Sequence, residues 1–270
     1  MGSPLDECYS TLLHEISQIS DVVSIGKSGG NRLPEHGESD IDIFIFCGRI
    51  PDIDTRRAVI HKLGDKITGA KFSGQGGRFW GTIDFLSVEE TEICLMYFTM
   101  SFMSAEIESV LRGDRLDKEA GMFYPTGRCA TMISMHILYD KTGYIAGIKE
   151  LLSVYPNVLA EKIIQRHIPK MNDREDFERA VPRADVLFYH ATLENSIDHF
   201  LQVLFALNRY FLPSRKRTIQ IINAFKITPE NCGERLLQTI ELGAKPETLS
   251  LSYDVWSLLC RELAGFIPYS

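Results

Sequence analysis

A chain of 270 residues, with 44% apolar and 24% charged side chains, has globular composition and is long enough for one large domain or two modest ones. Its 36 acidic against 29 basic residues leave a formal net charge of -7, which argues against a general grip on a nucleic-acid backbone, where a surplus of Lys and Arg is needed. No apolar run reaches membrane-spanning length, and the opening MGSPLDECYS lacks the basic-then-apolar order of a secretory leader, so a cytoplasmic protein without a membrane partner is expected.

In chain order, residues 5–19 repeat apolar positions at helical spacing, and 22–26 (VVSIG) read as a short strand. A glycine-rich loop, SGGNRLPEHGES, leads into the strong strand signal IDIFIFC. Residues 54–67 read as a helix, and 79–87 and 92–98 as two strands around a polar turn. Beyond about residue 100 the pattern turns helical, over 103–112, 129–138, 145–154, 157–167, 184–211, 215–225 and 248–264, with no further strand expected. Residues 170–178 (KMNDREDFE) alternate in charge sign and read as an exposed connection. The fold class is therefore α+β: residues 1–115 form a domain of mixed sheet and helices, and residues 116–270 an all-helical domain. The six cysteines form no CxxC pair and read as reduced thiols, and the seven histidines show no zinc-site spacing.

The informative stretch is SIGKSGGNRLPEHGESDIDIFIF, residues 24–46. Asp40 and Asp42 stand two apart at the start of a strand, so the period of two sends both carboxylates to one face, while Ile41, Ile43 and Ile45 take the other. Two like charges side by side call for a positive partner, and carboxylate oxygens suit Mg²⁺. Gly29 and Gly30 follow the first strand, where glycine permits a tight turn with exposed backbone N–H groups suited to phosphate; Asn31 and Arg32 add further donors. Either element alone more often marks an ordinary turn or a solvated strand end. Together they place phosphate cradle, metal site and strand in the order that phosphoryl or nucleotidyl transfer needs.

On these residues the chain resembles the nucleotidyltransferase superfamily typified by DNA polymerase beta and the antibiotic nucleotidyltransferases. The family pattern, a glycine pair, a spacer of about ten residues and Asp-x-Asp between apolar positions, is matched by Ile25 to Gly30 and then Ser39 to Ile43. GTIDFLSVEETEICLMYF is similar to the hairpin that carries the third carboxylate in lincosamide-type members, and ILYDKTGYIAGIKELL and LFALNRYFLPSRKR to helical-domain segments of small bacterial members. The resemblance puts the third carboxylate at Glu92, with Asp84 as the alternative, and implies two Mg²⁺ ions held by Asp40, Asp42 and Glu92. It also likens Lys216, in PSRKR, to a lysine that reaches triphosphate from the helical domain, with Arg215 and Arg217 as neighbours able to substitute. Arg179 and Arg183 are weaker candidates of the same kind.

Within 184–211, Leu193, Ile197, Phe200, Leu204 and Leu207 follow core spacing, and His190 and Glu194 share a face. Glu194 is the candidate base for an acceptor hydroxyl, with Asp185 and Asp198 as competitors and a solvated helix face as the bland alternative. His190 and His199 read as structural or surface residues.

The expected activity is Mg²⁺-dependent transfer of a nucleoside monophosphate from an NTP, with ATP as the first choice, to a hydroxyl of a small molecule. The resemblance suggests an aminoglycoside or lincosamide antibiotic, hence a role in antibiotic resistance. The alternatives are nucleotidylation of a protein or tRNA, and a non-catalytic nucleotide-binding protein with a degenerate site.

Overall fold

The strand IDIFIFC lies inside a six-stranded sheet of order β3-β4-β5-β2-β1-β6. The computed structural model describes residues 4–30, 32–34, 39–72, 80–119 and 123–267. Strand β2 (Ile41–Cys47) runs antiparallel to β1 (Val22–Lys27) and parallel to β5 (Thr91–Thr99). On one side β5 pairs with β4 (Thr82–Val88), and β4 with β3 (Gly69–Phe72); on the other side β6 (His136–Asp140) pairs with β1.

Alternation along the strands gives the sheet two different faces. Ile25, Ile41, Ile43, Ile45, Leu86, Ile93, Leu95 and Tyr97 enter one buried cluster with Leu5, Cys8, Leu12 and Ile16 of α1 (Pro4–Ser17) and Val59 and Ile60 of α2 (Ile53–His61). The α1 residues fall at steps of three and four, the spacing of one helix face. Asp52 caps α2, its carboxylate accepting from the Thr55 amide at 2.8 Å. On the second face Phe44 and Phe46 stack on Phe98 with centroids 5.9 and 6.4 Å apart, and Tyr144 packs on Phe46 at 5.4 Å.

The chain divides into two compact units, Met1–Glu108 with Thr131–Val154, and Ser109–Ala130 with Tyr155–Ser270. Two of the three dividing points fall inside helices α3 (Met100–Leu111) and α4 (Pro125–Ser134), and the third follows α5 (Tyr144–Leu152), which the first unit holds. Its discontinuity follows from β6. The helix read over 129–138 stops at Ser134, and His136–Asp140 instead pairs with β1, which would otherwise present an open edge of backbone donors and acceptors. Asp140 secures the junction, accepting from the Ser24 hydroxyl at 2.6 Å and from the Ala146 amide in the first turn of α5 at 3.0 Å.

The second unit is helical: α6 (Asn157–His167), α7 (Arg174–Ala180), α8 (Val186–Leu207), α9 (Thr218–Ile222), α10 (Cys232–Leu242) and α11 (Leu249–Gly265). Helices α7 and α10 lie where the sequence pattern suggested a connection and no element, and β3 was likewise unforeseen. The core gathers Tyr189, Leu193, Phe200, Leu204 and Phe205 of α8 with Trp256, Leu259 and Leu263 of α11. Full burial of each large side chain of this kind is worth about 1.5–3 kcal/mol. Helix α8 ends where the Asn208 side-chain amide donates to the Leu204 carbonyl at 2.9 Å and Arg209 turns left-handed at φ 53°. All six cysteines are buried and unpaired by disulfides, as thiols acting as small apolar groups should be. Among the described residues no helix is long and apolar enough to cross a membrane.

Candidate functional site

Asp42 lies in β2, and Asp40 directly precedes that strand. Asp42 is half-buried beside Cys94 of the parallel strand β5, and Asp40, one step before the strand, is exposed. Ile41 is in register with Ile93 and Asp42 with Cys94, so Asp40 and Glu92 stand one residue further back on each strand. Glu92 is exposed and shares the strand face of Cys94 and Met96, opposite to that of Ile93 and Leu95. Asp42 and Glu92 therefore share one sheet face, with Asp40 just before the strand at the same end, and the Phe44, Phe46 and Phe98 stack fills that face further along. Their charge is felt at Cys94: burial first, then Asp42, Glu92 and Asp40, push its thiol up to about 12.

Asp84 belongs elsewhere. It is in register with Leu95, on the core face behind the carboxylates, and is fully buried against the Arg56 guanidinium of α2. Arg56 also donates to the Pro51 carbonyl at 3.2 Å and lies 5.4 Å from the centre of the Tyr97 ring. Burial raises the Asp84 pKa, and Arg56 opposes that shift. This pair ties α2 to the sheet, and Asp84 does not join Asp40 and Asp42.

Gly29 adopts φ 79°, the left-handed region that favours glycine, and a Cβ built at Gly29 or Gly30 meets nothing within 4 Å. Among the described residues, the turn is thus open above its backbone. The Ser28 amide donates to the Asp42 carbonyl at 3.1 Å, and its hydroxyl reaches the Asp42 carboxylate at 3.3 Å. Lys27, only 6% exposed, sends its ammonium to the carbonyls of Ser28, at 3.5 Å, and Gly30. Burial lowers the Lys27 pKa and the Asp42 charge partly restores it. Sequence reasoning passed over Lys27, although the strand period that buries Ile25 sends Lys27 inward as well. Arg32 is exposed, and Asn31 lies outside the described residues.

In the helical unit the competitors for the base are spoken for. Asp198, only 4% exposed, accepts from Lys118 Nζ, the Tyr124 hydroxyl and Arg215, the last through Nε at 2.7 Å. Burial would raise its pKa, but these hydrogen bonds outweigh burial and hold it below the usual carboxylate value. Arg215, the neighbour of Lys216, is committed to this carboxylate. Asp185 caps α8, accepting from the Phe188 amide at 3.1 Å. Glu194 remains about half exposed, 3.8 Å from the Arg215 guanidinium. Lys216 and Arg217 are exposed, the latter left-handed at φ 58° ahead of α9. Arg179 pairs with Glu175 and Asp176 on the surface of α7, and Arg183 is exposed. His199 is half of a pair that the sequence did not reveal: its Nδ1 lies 2.8 Å from His167 Nδ1. His190 is partly buried, its ring 6.2 Å from that of Tyr189.

Among the described residues no group of three or more His, Cys, Asp or Glu is arranged to hold a metal ion. Mg²⁺ differs from Zn²⁺ or Ca²⁺ in that it keeps several waters and is held by one or two carboxylates together with substrate phosphates. The Asp40 and Asp42 oxygens are a donor set of that chemistry beside an open glycine turn.

Residues 122–217 match a family described as a domain of unknown function, DUF4037. That segment contains Tyr124, Asp198 and Arg215. No curated protein matches the chain. Among solved structures, a nucleotidyltransferase-like protein from Exiguobacterium sibiricum 255-15 aligns at 7% identity and a TM-score of 0.49, covering 97% of this chain and 78% of that one.

Proposed function

We propose that this chain is a Mg²⁺-dependent nucleotidyltransferase that moves a nucleoside monophosphate from a nucleoside triphosphate, ATP first among the candidates, to a hydroxyl of a small molecule. One observation carries the reading: Asp42 and Glu92 share one sheet face, with Asp40 immediately before Asp42's strand at the same end, beside the left-handed turn at Gly29. In the reaction, the acceptor oxygen bonds to the α-phosphorus, the bond to pyrophosphate breaks, and the hydroxyl proton leaves to a base. The exposed backbone at Gly29 and Gly30 orients the phosphates. Asp40 and Asp42, with Glu92 beside them, hold Mg²⁺, which when bound supplies positive charge to the reacting oxygens. In the helical unit, Glu194 is the proposed base and Lys216 the proposed triphosphate contact. Arg215, 3.8 Å away, keeps the Glu194 carboxylate in company without burying it.

The test is incubation of the full chain with Mg²⁺, each labelled NTP and a panel of acceptors that includes aminoglycosides, lincosamides, tRNA and a protein mixture. Release of pyrophosphate that depends on one small acceptor, and that is lost in Asp42→Asn, is the expected result. Transfer to tRNA or protein instead would move the acceptor class. Nucleotide binding without transfer to any acceptor would leave a binding protein in place of the enzyme.

A further inference from the structure

We infer that Lys27 is a positioning residue that shapes the glycine turn for phosphate by drawing its carbonyl oxygens inward. The inference rests on the phosphate-binding part of the proposed function.

The observations concern the end of β1. Lys27 is a strand residue in register with Ile43, and its side chain is nearly all buried at 6% exposure. An ammonium in such a place must spend its donors on nearby acceptors, because an unpaired buried charge is costly. The acceptors it uses are the carbonyls of Ser28 and Gly30, on either side of the left-handed Gly29. In a trans peptide the N–H points away from the C=O of the same unit. Turning the Ser28 carbonyl toward Lys27 therefore turns the Gly29 amide away from it. Among the described residues, nothing fills the space above Gly29 and Gly30.

A phosphate approaching the turn then meets the Gly29 amide hydrogen, while two carbonyl oxygens that would repel it are held by the lysine. Glycine alone permits many turn conformations. The buried ammonium selects the one with its carbonyls inward. Lys27 does not itself need to touch the ligand.

Two measurements test this on the full chain. First, binding of inorganic tripolyphosphate, of each NTP with Mg²⁺, and of the matching free nucleosides is compared in wild type, Lys27→Met and Lys27→Arg. Lys27→Met is expected to weaken tripolyphosphate and NTP at least tenfold, with nucleoside affinity and melting temperature little changed, and Lys27→Arg to restore part of the loss. A merely structural role would lower the melting temperature and weaken every ligand alike. Second, should Lys27→Met fail to fold, labelling of the wild type with an amine-reactive ester reads whether the Lys27 ammonium is held buried under the turn. Lys27 is expected to react much more slowly than exposed Lys71 and Lys216.

Unchanged triphosphate affinity in a folded Lys27→Met, or labelling of Lys27 as fast as the exposed lysines, overturns the inference. A wild type that binds tripolyphosphate through Lys27 but transfers no nucleotide defeats the enzymatic reading and leaves the lysine's role standing. A wild type that transfers nucleotide with KM unaltered in Lys27→Met does the reverse. A wild type that binds neither triphosphate nor NTP defeats both.

Discussion

Asp42 and Asp84 are the same side chain on neighbouring parts of one sheet, and strand phase gives them opposite work. Asp42 sits in register with Cys94 on the face that carries Glu92; Asp84 sits in register with Leu95 on the core face and meets Arg56. Their substitutions should separate accordingly. Asp84→Ala leaves a guanidinium that is only 4% exposed without its carboxylate, and breaking a buried pair from one side costs about 3–5 kcal/mol. Urea denaturation should show that loss, whereas half-buried Asp42→Asn should stay within about 1 kcal/mol of wild type. Replacing Arg56 and Asp84 together by apolar residues should recover much of the loss, because no buried charge is then left over. Equal destabilisation by Asp42→Asn and Asp84→Ala would contradict this division between the two faces.

At the scale of elements, the helical unit is held by polar joints as well as by its core. Asp198 on α8 receives Lys118 and Tyr124 from the segment between α3 and α4 and Arg215 from beyond α8, which draws two stretches of chain onto one helix. One turn of chemistry away, His167 on α6 faces His199 on α8 at 2.8 Å and lies 3.2 Å from the Leu116 carbonyl. That carbonyl can only accept, so His167 Nε2 carries the proton and its Nδ1 accepts from His199. Burial first, then the His199 charge and Lys170, lower the His167 pKa to about 4, against the opposing pull of the Leu116 carbonyl and Asp117. The folded value lies below the unfolded one, so the unfolded chain takes up the proton first as pH falls. Stability should therefore be full above pH ~6.5 and decline toward pH ~4, by a loss on the order of 3 kcal/mol. Denaturant midpoints measured across that range should fall, and His167→Gln should flatten the slope. A midpoint independent of pH over the same window would show that the pair does not resist protonation.

For the whole molecule, the division into units carries a consequence for any attempt to cut the chain. The sequence pattern suggests a boundary at residue 115, yet the sheet unit takes in Thr131–Val154 as well. A fragment ending at residue 115 would lack β6 and α5, leaving the β1 edge unpaired and removing Tyr144 from Phe46. Such a fragment is expected to unfold without a cooperative transition or to aggregate, as circular dichroism melting and gel filtration would reveal. A fragment of residues 1–115 that melts as sharply as the full chain would mean that β6 adds little to the sheet.

Much of this architecture was written in local pattern. Alternation in IDIFIFC was enough to separate Asp42 from Ile41, Ile43 and Ile45, because side-chain direction in a strand depends only on parity. The helices α1, α6, α8 and α11 were legible for the equivalent reason at helical spacing. Whether Glu92 or Asp84 accompanies the pair could not be read that way: both lie on the same hairpin, and only the register of β5 against β2 and β4 assigns each to a face. The same holds for β6, whose residues also fit a helix until an unpaired strand edge claims them, and for Lys27 and Asp198, whose partners lie in turns or far along the chain. Sequence by itself determined the α+β class and the face that Asp42 takes on its strand, since both follow from periodicities a few residues long. Tertiary structure decided which charges are exposed and which are buried in pairs, because burial and pairing depend on neighbours that no local period specifies.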